Sequence, residues 1–183
     1  MRVIVTGATG FLGIALCQEL LQNEHEVFAV IRPNTKKRQK LEHLMEKNKD
    51  YLAKLHIIEA TLDKLYLLSE EYHIQADVFF HLAWNGASGA EREDFALQYS
   101  NIQYMANAIQ TAKSCGCVKI IGAGSQAEYG VVKAVAKEDE TVPNPFMMYG
   151  AAKLAAYYMG TVLATQVGIS FIWPRIYSIY GVG

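Results

Sequence analysis

The chain has 183 residues, of which 51% are hydrophobic and 19% charged, and 17 Lys and Arg against 18 Asp and Glu give a formal net charge of −1. The length suits one domain with a substantial core, and the hydrophobic fraction excludes a disordered chain. The balanced charge argues against nucleic-acid binding, which requires a basic surface.

Targeting and redox features of the sequence favour a cytoplasmic protein. The first residues lack the apolar segment of a secretory signal, and no uninterrupted apolar run approaches the ~20 residues that cross a membrane. Cys17, Cys115 and Cys117 form an odd and sparse set, which is typical of reduced buried thiols. The histidines show no metal-ligand spacing, so we expect no metal site. Because no apolar run is long enough to cross a membrane, we also expect no membrane contact.

Strand-like and helical segments alternate along the chain. The predicted elements are a strand at 2–6, a helix at 11–22, a strand at 26–31, a helix at 35–49, a strand at 55–59, a helix at 63–71, a strand at 77–82, a helix at 92–114, a strand at 118–122, a helix at 147–166 and a strand at 169–175. Several strands are almost continuously apolar, as parallel strands covered on both faces are. The pattern predicts an α/β Rossmann fold, a doubly wound parallel sheet between two helical layers.

Three glycines, Gly7, Gly10 and Gly13, separate the first predicted strand from the first predicted helix. Gly7 would permit a tight turn, Gly10 would let the backbone approach a pyrophosphate, and Gly13 would let helix and strand pack closely. The helix N-terminus would add partial positive charge. Because strand and helix flank the glycines as the motif requires, the segment predicts a dinucleotide site. The alternative is a purely structural glycine turn.

The end of the second predicted strand bears on which dinucleotide binds. An acidic residue there would bind the adenosine ribose and repel a 2′-phosphate, but this chain has Arg32 followed by Pro33. Arg32 could pair with a 2′-phosphate and stack on adenine. We therefore expect NADP(H) in preference to NAD(H), the alternative being that Arg32 only covers the adenine and both cofactors bind.

Tyr149 and Lys153 stand four residues apart near the start of the predicted helix 147–166. They share one helical face, and a nearby ammonium would favour the ionised phenol, which makes Tyr149 a feasible acid or base. Ser125 follows the fifth strand, at the sheet edge where ligands bind, and could hydrogen-bond a substrate oxygen beside Tyr149. The alternatives are a surface helix pair for Tyr149 and Lys153, and a simple turn cap for Ser125.

At these residues the chain resembles the extended short-chain dehydrogenase/reductase family, the NAD(P)-dependent epimerases and dehydratases of nucleotide sugars. The resemblance extends over the full length. It is carried by residues 6–13, by His81-Leu82-Ala83-Trp84, by Asn101, by Ser125 with Tyr129-Gly130, by Tyr149 with Lys153, and by Pro174-Arg175 near Tyr180-Gly181.

The resemblance implies a role for each matching residue. Tyr149 would be the acid/base, Lys153 would hold the nicotinamide ribose and assist Tyr149, and Ser125 would orient the sugar oxygen while a hydride moves between the nicotinamide and the sugar C4. The expected cofactor contacts, besides Arg32, Tyr149 and Lys153, are Gly7, Thr9, Gly10, Phe11, Leu12, Gly13, Leu82, Ala83, Trp84, Asn101, Pro174 and Ile176.

Departures from the family pattern reduce the number of candidate reactions. The family's sugar 4,6-dehydratases resemble one another in an Asp-Glu pair where this chain has Gln126 and Ala127, neither of which can act as acid or base. Glu128 comes one residue too late and is expected to point elsewhere. The sequence therefore favours a 4-epimerase or a 4-keto reductase over a dehydratase.

Family members also resemble one another in a C-terminal part that binds the nucleotide sugar. We expect residues 1–183 to be the NAD(P)-binding Rossmann domain without that part, either a fragment of a longer protein or a shortened chain that does not turn over. The rival function is an NAD(P)-binding module without catalysis. The resemblance further implies a nucleotide-sugar substrate and a possible homodimer through the two long helices.

Four large aromatic side chains are expected to serve packing. Trp84 and Trp173 are predicted to pack against the cleft wall and the core in preference to stacking on a sugar. Tyr99 and Tyr104 are predicted to lie on the buried face of the helix 92–114.

Overall fold

The computed structural model describes residues 1–133, 135–138 and 140–181. Its strands are β1 (Arg2–Thr6), β2 (Glu26–Ile31), β3 (Leu55–Glu59), β4 (Val78–His81), β5 (Lys119–Gly122), β6 (Gly124–Ser125), β7 (Ser170–Ile172) and β8 (Arg175–Ile176). Six strands form one parallel sheet in the order β3-β2-β1-β4-β5-β7, and β6 pairs with β8 in a parallel two-stranded sheet.

Helices lie on both faces of the sheet. They are α1 (Phe11–Gln22), α2 (Gln39–Lys47), α3 (Leu67–Glu70), α4 (Phe95–Ser114) and α5 (Met148–Val167), with 3-10 turns at Lys36–Arg38, Lys49–Ala53, Leu62–Lys64, Gly89–Glu93 and Gln126–Glu128. Successive side chains of β1 point to opposite faces. Val3 and Val5 join the core beneath α1 and α2, and Ile4 joins the core beneath α3, α4 and α5. The predicted doubly wound parallel sheet is confirmed.

The chain reverses its direction of winding at β1. It proceeds from β1 to β2 and β3 on one side, then returns so that β4 pairs with the other edge of β1. In open α/β sheets, ligands bind at the carboxyl ends of the strands where the order reverses. The loops that follow β1 and β4 therefore lie where a ligand is expected to bind.

The predicted final strand 169–175 is divided in the structure. β7 ends at Ile172, and β8 begins at Arg175 and pairs with β6. The break falls at Trp173 and Pro174: Pro174 has no N–H to donate to a ladder, and its carbonyl oxygen accepts a hydrogen bond from Gly124 N–H at 3.0 Å. The indole of Trp173 covers Gly122 and Gly124, whose missing side chains make room for it.

The predicted helix ends were wrong at three places. The segment 35–49 is a 3-10 turn capped by Thr35 followed by α2, which ends before Asn48, and 63–71 contains a 3-10 turn and the one-turn α3. α4 begins at Phe95, because Asp94 accepts the Leu97 N–H at 2.9 Å and caps the helix. α5 ends at Val167, because Gly168 follows it with a left-handed φ of 68°.

Tyr99 contradicts its predicted burial. Its side chain is 63% exposed on the outer side of α4, whereas Tyr104 is partly buried. The apolar pattern of α4 is wider than the surface that the sheet covers. Over the part of the chain that the structure describes, no helix has the length and apolar character needed to cross a membrane.

Candidate active site

In the glycine turn after β1, backbone segments pack against one another with no room for a side chain. Gly7 has a left-handed φ of 70°, and a Cβ on it would lie 2.8 Å from the backbone nitrogen of Ala83. A Cβ on Gly13 would collide with the Gly7 carbonyl oxygen. The turn therefore packs directly on the loop that follows β4, so the structure brings Leu82 and Ala83 beside the glycines.

The N-terminus of α1 is open to an anion. Gly10 is the N-cap, no side chain caps the helix, and its first turn contains no acidic residue. Phe11 and Leu12, in that first turn, are 40% and 37% exposed. Free N–H groups and the helix dipole suit a phosphate, and a glycine cradle leaves room for one, so these residues fit a dinucleotide pyrophosphate.

Arg32 follows β2 at the same edge of the sheet as the glycine turn. Its side chain is exposed, and among the described residues its guanidinium forms no hydrogen bond or ion pair. The position is therefore compatible with an external partner, as the sequence predicts.

Tyr149 and Lys153 lie close together on the first turns of α5. The Lys153 ammonium is 5.6 Å from the centroid of the Tyr149 ring, donates a hydrogen bond to the Ala123 carbonyl oxygen at 2.6 Å, and sits 3.6 Å from the centroid of Trp84. Lys153 is 3% exposed. Burial lowers its pKa from 10.5 to about 7, against a smaller opposing effect of Glu128.

Trp84 connects the glycine turn to the Tyr149–Lys153 pair. It follows Ala83, which contacts Gly7, and its ring meets the Tyr149 ring edge-on with centroids 6.1 Å apart. Its indole N–H donates to Gln98 Oε1 at 2.9 Å. The packing predicted for Trp84 is therefore present, and the residue lies between Ala83 and the Tyr149 ring.

Ser125 acts as a turn cap in this structure. Its hydroxyl oxygen accepts the Ala127 N–H at 3.1 Å, and its own N–H donates to Glu128 Oε1 at 2.8 Å. A hydroxyl that accepts one bond keeps its hydrogen for another acceptor. Both the capping role and the predicted contact with a substrate oxygen are thus chemically open to Ser125.

Glu128 points away from the cleft and into a buried network. Its side chain is fully buried, and it accepts bonds from Trp173 Nε1 at 2.9 Å and Arg175 Nε at 2.7 Å. Arg175 also donates to the Tyr129 hydroxyl at 3.0 Å. The network fixes β8 against β6, which places Ile176 opposite Ser125 and Pro174 beside Gly124.

The Asn101 side chain forms hydrogen bonds with the backbone of Asn85, in the loop after β4. Its amide accepts the Asn85 N–H at 2.9 Å and donates to the Asn85 carbonyl oxygen at 2.9 Å and the Leu97 carbonyl oxygen at 3.0 Å. The side chain therefore fastens the loop after β4 to α4. Its predicted contact with the cofactor stays a prediction.

His81 is a buried structural histidine. It hydrogen-bonds the Thr6 hydroxyl at 2.9 Å, and burial, together with the charge of Lys153, lowers its pKa from 6.5 to about 3. A neutral imidazole links β4 to β1 beneath the glycine turn. Among the residues that the structure describes, no cluster of three or more side chains could hold a metal ion.

A cavity of about 460 Å³ lies near the start of α5, and Tyr149, Ser125 and Lys153 are not among its described lining residues. Its lining residues are Arg92, Gln126, Ala127, Tyr129, Gly130, Val132, Ala136, Phe146, Met147 and Tyr177. Arg92 also stacks on the Tyr149 ring, 4.6 Å from its centroid. Sequence reasoning missed Arg92 because it lies in an irregular segment between acidic residues and belongs to no motif.

A family model for the NAD dependent epimerase/dehydratase family matches residues 3–183. The chain belongs to this family. It is 26% identical over 191 residues to an uncharacterised UDP-glucose epimerase of Bacillus subtilis, covering 99% of this chain and 57% of the relative. It is 27% identical over 157 residues to the UDP-glucose 4-epimerase of Mycolicibacterium smegmatis, covering 85% and 49%.

Solved structures of NAD-bound proteins share the fold. The UDP-glucuronic acid 4-epimerase from Bacillus cereus in complex with NAD aligns with a TM-score of 0.78 and 27% identity, over 99% of this chain and 58% of that one. MoeE5 in complex with UDP-glucuronic acid and NAD aligns with a TM-score of 0.79 and 25% identity, over 99% and 56%. The chain spans about half the length of the curated relatives it matches.

Proposed function

We propose that this epimerase/dehydratase-family chain contributes reversible hydride transfer at C4 of a nucleotide-linked sugar, as a 4-epimerase or a 4-keto reductase. One observation carries the proposal: Trp84 connects the glycine turn, through Ala83, to the adjacent Tyr149 and Lys153. This proximity supports a nucleotide-binding role for the turn and an acid/base role for the pair, and a cavity of about 460 Å³ lies on the far side of Arg92, which stacks on Tyr149.

The proposed chemistry assigns a proton to Tyr149. The bound NAD(P) cofactor would supply or accept the hydride. Tyr149 takes the proton of the sugar hydroxyl as its O–H bond breaks, and returns it in the reverse direction. Lys153, one helical turn away, favours the ionised phenol electrostatically. Ser125 donates its hydroxyl hydrogen to the same sugar oxygen and orients it.

The residues of the cavity argue against water elimination. Gln126 and Ala127, at the positions of the dehydratase Asp-Glu pair, both line the cavity, and neither side chain can accept or release a proton. The carboxylate of Glu128 is occupied by Arg175 and Trp173. We therefore rank a dehydratase below an epimerase or a reductase.

The Tyr149→Phe substitution tests the proposal. We expect kcat with UDP-, dTDP- or CDP-linked sugars to fall by about 10²–10⁴-fold, while NAD(P)H still binds, because the phenol oxygen is lost and the cleft wall remains. Tyr66→Phe, at an exposed position outside the candidate site, is the matched control. Full turnover by the Tyr149→Phe protein would refute the acid/base assignment.

We propose NADP(H) as the preferred cofactor because Arg32 is an exposed, unpaired cation in the described structure, at the strand end where an acid would select NAD. The NAD in the Bacillus cereus and MoeE5 structures supports NAD(H) as the alternative. Fluorescence titration with NADPH and NADH decides between them. Arg32→Gln should weaken NADPH by about tenfold and leave NADH unchanged; equal losses for both would contradict the 2′-phosphate contact.

We also propose that residues 1–183 form the NAD(P)-binding Rossmann domain, and that further residues outside these 183 grip the nucleotide sugar. Coverage of about half of each relative supports this division. The same observation favours a second candidate function, a cofactor-binding module without catalysis. Cofactor binding with no turnover of any of the three sugar-nucleotide classes by the intact protein would favour that candidate.

A further inference from the structure

Arg92 makes an unusual contact for a charged side chain. It lies in the 3-10 turn Gly89–Glu93, and its guanidinium carbon is 4.6 Å from the centroid of the Tyr149 ring. Its Nε is buried and has no hydrogen-bond partner among the described residues. Glu91 and Glu93 flank it in sequence, yet neither forms an ion pair with it in the described structure. The Tyr149 ring is therefore the partner that the described structure shows for the Arg92 guanidinium.

The other charges around Tyr149 are less closely placed. The Lys153 ammonium is 5.6 Å from the ring centroid and lies mainly over Trp84, bonded to the Ala123 carbonyl oxygen. Glu93 accepts the Met148 N–H at 3.2 Å, which puts a carboxylate at the start of α5. Of these two cations, Arg92 is therefore the nearer to the ring, and the Glu93 carboxylate at the start of α5 would oppose ionisation of the phenol.

The two cations also differ in how they respond to pH. Burial lowers the pKa of Lys153 to about 7, so its charge declines above neutral pH. A guanidinium stays protonated throughout the working range. Arg92 therefore supplies positive charge under the conditions in which Lys153 loses its own.

We propose that Arg92 is a positioning residue for Tyr149, which it holds by stacking and whose ionised form it favours. This inference rests on the proposed acid/base role of Tyr149. A cation over an aromatic face is attracted to the negative face of the ring, and ionisation of the phenol adds negative charge and strengthens that attraction. Trp84 meets the same ring edge-on, so the ring is held by two partners. Arg92 keeps its own protons throughout.

The test measures ionisation of Tyr149 without any substrate. The intact protein is labelled with 3-fluorotyrosine, and the Tyr149 ¹⁹F signal is assigned by its loss in Tyr149→Phe. We expect the pH at which this signal changes to rise by about one unit in Arg92→Met, a tenfold change in proton affinity, and to be restored in Arg92→Lys. Arg92→Gln is a second neutral variant if the methionine variant fails to fold.

Arg2→Met is the matched control. Arg2 also stacks on an aromatic ring, 5.0 Å from the centroid of Phe28, but at the opposite end of the sheet. It should leave the Tyr149 titration unchanged. An unchanged titration in both neutral Arg92 variants would overturn this inference while leaving the proposed function intact. Undiminished turnover by Tyr149→Phe would instead overturn the proposed function, whatever the Arg92 variants do.

Discussion

Lys153 is a cation held where burial disfavours its charge. The side chain is 3% exposed, and desolvation lowers its pKa from 10.5 to about 7. Between these values the folded chain has released a proton that the unfolded chain still binds. Raising the pH across this window therefore favours the folded state, and below it the folded state carries the full desolvation cost.

Lys153→Met should remove this pH dependence. We expect the free energy of unfolding of the natural chain, relative to the variant, to be flat below pH 7 and to rise above it by at most about 1.4 kcal/mol per pH unit. Urea unfolding at pH 6, 7, 8 and 9 without nucleotide measures it. Relative to Lys113→Met, a change at an exposed position that leaves Lys153 in place, the natural chain should show no such slope. Parallel pH profiles for the natural chain and Lys153→Met would contradict the desolvated ammonium.

Glu128 contributes stability through a largely buried ion pair with Arg175. Its carboxylate is fully buried, and the Arg175 side chain is 15% exposed. Breaking such a pair leaves a guanidinium without its counter-charge, which is costlier than losing a surface pair. The partly exposed pair of Arg2 and Glu26, at 3.1 Å and with side chains 44% and 34% exposed, provides the comparison.

Glu128→Gln should lower the free energy of unfolding by about 3 kcal/mol. Glu26→Gln should lower it by less than about 1 kcal/mol, because solvent screens the partly exposed pair. Denaturant unfolding of both variants at neutral pH measures the difference. Equal effects of the two substitutions would mean that the Glu128 network is not a buried electrostatic unit.

The role of a single residue could be predicted from the sequence only where that role depends on residues nearby in the chain. The glycines at 7, 10 and 13 could be interpreted because their spacing alone dictates a turn. The network of Glu128 could not, because Arg175 and Trp173 are more than forty residues away in sequence. The contact of Arg92 with Tyr149 was invisible for the same reason.

At the scale of elements, continuous apolar runs identified the strands of the six-stranded sheet, while the ends of elements depended on tertiary contacts. The division of the predicted strand 169–175 requires Trp173 to lie over Gly122 and Gly124, a contact between segments far apart in sequence. The start of α4 could have been found, since Asp94 is a standard N-cap residue. The one-turn α3 is too short for periodicity to detect.

The junction of β1 and α1 yields a prediction about element packing. A methyl group at position 13 would overlap the Gly7 carbonyl oxygen, so Gly13→Ala should push α1 away from the turn. We expect NAD(P)H affinity, measured by nucleotide fluorescence, to fall roughly tenfold or more, together with a lower melting temperature. Ala15→Ser, on the exposed side of α1, should change neither. Unchanged affinity in Gly13→Ala would show that the turn is not the nucleotide cradle.

For the molecule as a whole, α4 and α5 pack side by side and leave an uncovered apolar face. A groove of about 540 Å³ runs along it, and its lining contains no charged side chain. Tyr99, Tyr158, Met159 and Val162 are between 56% and 63% exposed there. The exposure of Tyr99, which contradicts its predicted burial, is explained if this face belongs to an interface instead of the core.

We propose that a second copy of the chain covers this face. A two-fold axis brings the same patch of two copies together, and an uncharged apolar face is complementary to itself. The intact protein should therefore have twice its chain mass by light scattering after size-exclusion chromatography. Met159→Glu should halve that mass, since two carboxylates would be buried at the interface without partners. Val118, just before β5, is 70% exposed, and the Val118→Glu variant should remain a dimer. A natural chain that elutes as a monomer at micromolar concentration would refute the interface.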